Sequence, residues 1–259
     1  MNDHQNAFNN SGDGAPQPAR VSAMSPLLTL LVTLGIVAMV IALLLPQVRI
    51  SRGPALRNSC LNNLKQIGLA LDNYAAVHGA YPPAYTVDAD GKPLHSWRTL
   101  ILPYMELQPL YEQIDLTKPW DDPVNEKARN SVIEVYRCPS LREGDGDNRT
   151  TYLAVVTPDS VIRTTDSRRP QEIKDVASDV IMVIDADHDH AVPWMSPQDA
   201  GEQLILTAGN IAAQSHAGGM LALFADGHSR MLANEDDAPM RRALISVSED
   251  DNDILTDDE

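Results

Sequence analysis

Five of the six residues from Asp185 to His190 carry atoms that bind metals: Asp185, Asp187, His188, Asp189 and His190. Carboxylates and imidazoles so closely spaced suit a transition metal or calcium. In an extended chain Asp187 and Asp189 would point to one side, His188 and His190 to the other. Ligands drawn from one hexapeptide seldom enclose an ion, and no second ligand cluster accompanies this one. The reading adopted is a polar loop after a strand with no bound metal and no cofactor. Ligation by these five residues is the alternative.

A second group is His216 with Asp226, Gly227 and His228. Asp-Gly between apolar runs has a role that needs no ligand. The aspartate bonds nearby backbone N–H groups and the glycine takes positive φ in a tight turn. A third group is Trp120-Asp121-Asp122 with Asn125, where an aspartate is placed to cap a helix starting near Val124. No serine or cysteine lies beside a general base in an identifiable motif. No glycine-rich loop is suited to phosphate either, since Gly144-Asp145-Gly146-Asp147 is acidic and reads as a mobile loop. No catalytic residue is assigned, and the chain is expected not to be an enzyme.

The elements that position these residues come in two blocks. Leu56, Cys60, Leu64, Ile67, Leu71, Tyr74 and Ala75 recur at threes and fours, which predicts a helix to about His78 with one apolar stripe. Ser96–Ile114 predicts a helix broken at Pro103, and Val124–Glu134 a short one. Strands are expected at Val135–Arg137, Tyr152–Val156, Val180–Ile184, Met220–Phe224 and His228–Leu232. The last two form a hairpin, with Leu221 and Leu223 on one face and Met220, Ala222 and Phe224 on the other. Helices first and antiparallel strands after is an α+β order.

Ahead of this domain lies an uncharged apolar run of 19 residues, Leu27–Leu45, softened only by Thr29 and Thr33. At about 1.5 Å per residue it reaches roughly 28 Å, close to the ~30 Å hydrocarbon core of a bilayer. The expected division is a disordered segment 1–24, a transmembrane helix 25–46, an α+β domain 47–235 and an acidic tail 236–259 with a short helix. The net charge is −16, and ten acids against two arginines lie between Glu235 and Glu259. That balance argues against nucleic acid as a partner, which needs a basic footprint. The lipid bilayer is the partner read directly; the oligomeric state is left open.

Four stretches together resemble a bacterial prepilin-like family with an N-terminal cleavage/methylation segment and a C-terminal H-x9-D-G motif. They are Ile41–Pro46 followed by Cys60–Tyr74; Ser96-Trp97-Arg98 to Tyr104 with Leu110-Tyr111 and Pro119-Trp120-Asp121; Tyr136–Ser140; and Ala191-Val192-Pro193-Trp194 with His216 and Asp226-Gly227. The resemblance implies a pseudopilin-like shape, a long N-terminal helix packed on a small antiparallel sheet. It also implies a cytoplasmic (inner) membrane location with the domain on the extracytoplasmic side. Partners would be other envelope or secretion-system proteins, and the family's central domain has no assigned function.

Aligned on Leu43–Pro46, Met24 and Ser25 stand where the family has Gly-Phe, and Thr29 where it has Glu. A permanent, uncleaved single-pass anchor is therefore expected. The charge count opposes the implied topology: Arg49, Arg52, Arg57 and Lys65 follow the run, against Arg20 before it. Cys60 on the helix stripe and Cys138 at the end of the matching Tyr136–Ser140 segment are candidates for a disulfide, with two separately buried thiols as the other outcome. The function expected is a non-enzymatic, membrane-anchored envelope protein with a structural or secretion- or pilus-related role. The alternative is a periplasmic metal- or ligand-binding module using Asp185–His190 and His216/Asp226.

Overall fold

The computed structural model describes residues 25–140, 148–173, 177–207, 216, 218–233 and 236–247, without the side chains of residues 43–52. The expected disorder of 1–24, the Gly144–Asp147 loop and the tail from residue 248 onward lie outside the described residues. The chain divides into two compact units, 1–49 and 50–259.

The described part of the first unit is helical, the start of α1 (Pro26–His78). All its large apolar side chains from Leu27 to Ile41 are 45–68% exposed. Among the described residues no helix is long and apolar enough to cross a membrane. The described side chains of the run stop at residue 42, and Leu43, Leu44 and Leu45 complete it in the sequence. The prolines at 46 and 54 do not end the helix; each removes one backbone donor, and the adjoining turns continue across the gap.

In the second unit, α1 buries Cys60, Leu64, Ile67, Leu71 and Ala75 of the expected stripe together with Ala70, while Tyr74 is half-buried and Leu56 is exposed. It stops where Gly79, at φ 78°, donates its N–H to the Ala75 carbonyl (2.8 Å), a left-handed C-terminal cap that glycine adopts without strain. A two-stranded ribbon follows, β1 (Tyr85–Val87) with β2 (Pro93–Ser96). The expected helix over 96–114 is instead three short turns: α2 (Trp97–Leu100), a 3-10 turn at Leu102–Met105 and α3 (Gln108–Tyr111). Glu106 at φ 61° breaks the path after Pro103. Asp122 accepts from the Val124 N–H (2.9 Å) and leads through a 3-10 turn into α4 (Glu126–Arg129).

The expected strand at Val135–Arg137 is a 3-10 turn over Glu134–Tyr136. The Tyr136 hydroxyl donates to the Arg98 carbonyl at 2.7 Å, so this segment is held by a buried side chain and not by a ladder.

Two more short strands, β3 (Arg149–Thr150) and β6 (Val192–Pro193), pair with each other. The main sheet is antiparallel, in the order β4 (Tyr152–Ala154), β5 (Ile181–Asp185), β7 (Gly219–Phe224), β8 (Ser229–Ala233). Leu221 and Leu223 join the core cluster that includes the α1 stripe. Met220, Ala222 and Phe224 join a second cluster on the other face, with Ile205 of α5 (Glu202–Thr207) and with Leu244 and Ile245.

The domain does not stop at residue 235. α6 (Ala238–Ala243) and the residues after it return to the sheet: the Ile181 N–H donates to the Leu244 carbonyl (2.7 Å) and the Val247 N–H to the Asp159 carbonyl (3.0 Å). The apolar residues Leu244, Ile245 and Val247 explain why this stretch folds despite the acids around it.

Candidate functional site

The structure gathers four chemically active side chains from four separate segments. Cys60 comes from the buried face of α1. Cys138 follows the 134–136 turn, where Asn63 Nδ2 donates to the Arg137 carbonyl (2.9 Å) and so fixes this segment against α1. Asp185 is the last residue of β5, in register with Tyr152 of β4 and Leu221 of β7. His216 lies just before β7. Their ligand-type atoms all fall within 4.8 Å of one another.

The contacts inside the cluster are direct. Cys60 Sγ and Cys138 Sγ are 2.7 Å apart. His216 Nε2 lies 3.0 Å from Asp185 Oδ2 and 3.5 Å from Cys138 Sγ. The other histidine nitrogen, Nδ1, faces Ser140 Oγ at 3.5 Å, and the Thr151 hydroxyl donates to Asp185 Oδ1 at 2.5 Å. Exposure is 0–5% for all four residues. His216 also forms part of the wall of a pocket of about 450 Å³ lined by Gly53, Pro54, Leu56, Arg57, Pro139 and Ser140.

Burial with close partners moves the protons. The Cys60 thiol is lowered to about 6, chiefly by the bond from Cys138 and further by His216, against burial. Cys138 is pushed far up, first by the Cys60 bond and then by burial. Burial alone would lower His216, but the bonds to Asp185 and Cys60 and their charges raise it to about 9. Tyr152 beside them is pushed well up by burial and by the Asp185 charge. The close sulfur pair thus favours one proton shared between Cys60 and Cys138, beside a charged His216.

The other expected groupings come apart. The Asp185–His190 hexapeptide is split. Asp187 accepts from the backbone N–H groups of Asp189 and His190 and from His190 Nδ1 (2.7 Å), so it caps a 3-10 turn. Asp226 is not paired with His216. Its Oδ1 accepts from the His228 N–H (2.9 Å) and lies 2.6 Å from His228 Nδ1, while Gly227 takes φ 83°. Cys60 and Cys138 are brought together.

A second buried constellation passed unrecognised in the sequence. Arg98 donates from all five N–H positions: to the carbonyls of Trp194, Tyr152, Ser196 and Gln198 and to Asp199 Oδ1. Asp199 Oδ1 also accepts from the Trp97 indole (3.0 Å) and the Ala154 N–H (2.8 Å). Burial raises the Asp199 carboxyl, while Arg98, Trp97 and Ala154 pull it back down. The Ser96-Trp97-Arg98 and Trp194 motifs are thus two halves of one structural hub.

Residues 52–175 match the family model described as a protein of unknown function (DUF1559). The matched span contains Cys60, Arg98 and Cys138, while the apolar run, Asp185, Asp199 and His216 lie outside it. Neither the curated proteins nor the solved structures yield a match.

Proposed function

We propose that the chain is a single-pass, membrane-anchored envelope protein of prepilin-like type, with a non-enzymatic α+β domain, pseudopilin-like in shape, on the extracytoplasmic side. One observation carries the anchor: the large apolar side chains from Leu27 to Ile41, interrupted by Thr29, Thr33, Gly35 and Ala38, are all 45–68% exposed, and Leu43–Leu45 continue the run in sequence. An apolar surface of that extent is a membrane or protein interaction site, and its helical length suits a bilayer.

The non-enzymatic reading is supported by the burial of Cys60, Cys138, Asp185 and His216 at 0–5% exposure, which keeps a substrate from their reactive atoms. The match of residues 52–175 to the DUF1559 family and the prepilin-like motifs support the envelope location, and they outweigh the positive charges that follow the run. Met24 and Thr29 in place of the family's Gly and Glu support an uncleaved anchor. The role proposed is structural, with secretion- or pilus-related envelope proteins as partners.

Fractionation of cells followed by protease treatment of spheroplasts tests this. The protein should stay in the membrane fraction after alkaline carbonate washing, and its domain should be digested from outside. Release by carbonate, or a domain protected in spheroplasts, would overturn the anchor or the topology. Intact-mass measurement should find the residues before Ser25 still attached; a methylated N-terminus at Ser25 would show processing.

A further inference from the structure

We infer that Cys60, Cys138, Asp185 and His216 form a structural binding site for a zinc-class divalent metal ion that ties α1 to the sheet. The donor set is two sulfurs, one imidazole nitrogen and one carboxylate oxygen. Such a set selects zinc and its soft neighbours, whereas calcium and magnesium demand oxygen shells.

The spacing is close to that of a coordination shell. Bonds of about 2.3 Å to sulfur and 2.0–2.1 Å to nitrogen and oxygen place tetrahedral ligand atoms roughly 3.3–3.8 Å apart. The sulfur–nitrogen spacing here is 3.5 Å and the nitrogen–oxygen spacing 3.0 Å. To admit an ion the sulfurs, at 2.7 Å, must separate by about 1 Å and the nitrogen–oxygen pair by about 0.3 Å.

The surroundings fit the same purpose. Metal-binding histidines and carboxylates have their remaining polar atoms held by neighbours. Here Thr151 holds Asp185 Oδ1, so that Oδ2 and His216 Nε2, bonded to each other, are the atoms left to turn to the ion, and Ser140 faces the far nitrogen of His216. The pocket bordered by Arg57, Pro139 and His216 gives a way in. A disulfide would join the two cysteines but would not account for the buried Asp185–His216 pair converging on them. Four protein ligands close the shell, so the ion would be structural rather than catalytic. Binding displaces to solvent the proton held between the two sulfurs and the Nε2 proton of His216, and changes no oxidation state. This inference is independent of the anchor, because all four residues lie in the second unit.

The test uses the full chain in detergent, isolated anaerobically without chelator, then stripped, reduced and titrated with Zn²⁺ or Co²⁺. Bound metal at about one equivalent per chain is expected. Cobalt should give the visible bands of tetrahedral coordination with thiolate-to-metal absorption, and zinc should shield both thiols from alkylation. Cys138→Ser and His216→Ala should lose the metal. Because these variants could fold poorly, Asp185→Asn is compared at matched circular dichroism and should bind at least tenfold more weakly. Two results overturn the proposal: a Cys60–Cys138 disulfide in the anaerobically isolated protein, or reduced parent protein that binds neither ion.

Discussion

Arg98 and Asp199 form an ion pair of 2.7 Å whose side chains are 0% and 4% exposed. A guanidinium has five N–H donors in a planar fork, and each finds an oxygen here. Removing one partner of such a pair leaves the other charge buried and unpaired, at a cost of about 3–5 kcal/mol. Arg98→Ala should therefore unfold in urea at a much lower midpoint than the parent. Arg98→Lys should recover only part of the loss, because an ammonium cannot reach acceptors spread over four carbonyls and a carboxylate. A midpoint for Arg98→Ala equal to the parent's would show that the hub contributes nothing.

Gly68 of α1 approaches β7 so closely that a Cβ there would stand 2.9 Å from Leu223 Cδ1. Gly68→Leu should cost about 1–3 kcal/mol by overpacking. In a Leu223→Ala background the conflict disappears, and Gly68→Ala should then add up to about 1 kcal/mol of helix propensity. A double-mutant cycle with no coupling between the two positions would refute the close packing.

The hairpin tip depends on Gly227 at φ 83°. Gly227→Val forces a β-branched residue toward positive φ, at about 1–3 kcal/mol. Gly227→Asn should be milder, since asparagine tolerates that conformation. Thermal melts of the two variants would check the order, and equal losses would point to packing rather than backbone strain.

Asp72 supplies the pH dependence. Burial raises its carboxyl, the Asp226 charge raises it further, and the bond from the Tyr81 hydroxyl (3.2 Å) opposes both. A raised carboxyl favours the protonated form in the folded state. Its ionised form therefore costs stability, and the loss sets in as pH rises from the usual 3.8 through the elevated folded value. Asp72→Asn should be more stable than the parent at pH 7 and equal to it near pH 3. The gain should shrink in high salt, because Asp72 keeps contact with solvent. An Asp72→Asn gain that persisted unchanged at low pH would exclude a charge effect.

Regular spacing made some of this readable in advance. The α1 stripe and the two faces of β7 follow from periods of 3.6 and 2. The Asp226-Gly227 turn follows from local chemistry. The buried clusters had no such trace. Asp185 and His216 are 31 residues apart in sequence, and Asp185 sits in a run of acids and histidines that draws attention to the wrong neighbours. Arg98 looks like a surface cation until Asp199 and four carbonyls surround it. The strand expected at Val135–Arg137 gives way to a turn because the Tyr136 hydroxyl reaches the Arg98 carbonyl. The tail boundary at 235 came from counting charges, which conceals Leu244, Ile245 and Val247.

The Ser229 hydroxyl of β8 donates to the Leu61 carbonyl of α1 across 168 residues of chain. During synthesis the helix therefore leaves the ribosome long before the strands that cover it. At about 5–20 residues per second the delay is roughly 8–35 s. For that interval Leu64, Ile67 and Leu71 face solvent or whatever holds them. A newborn chain is then adhesive through the same surface that later forms its core.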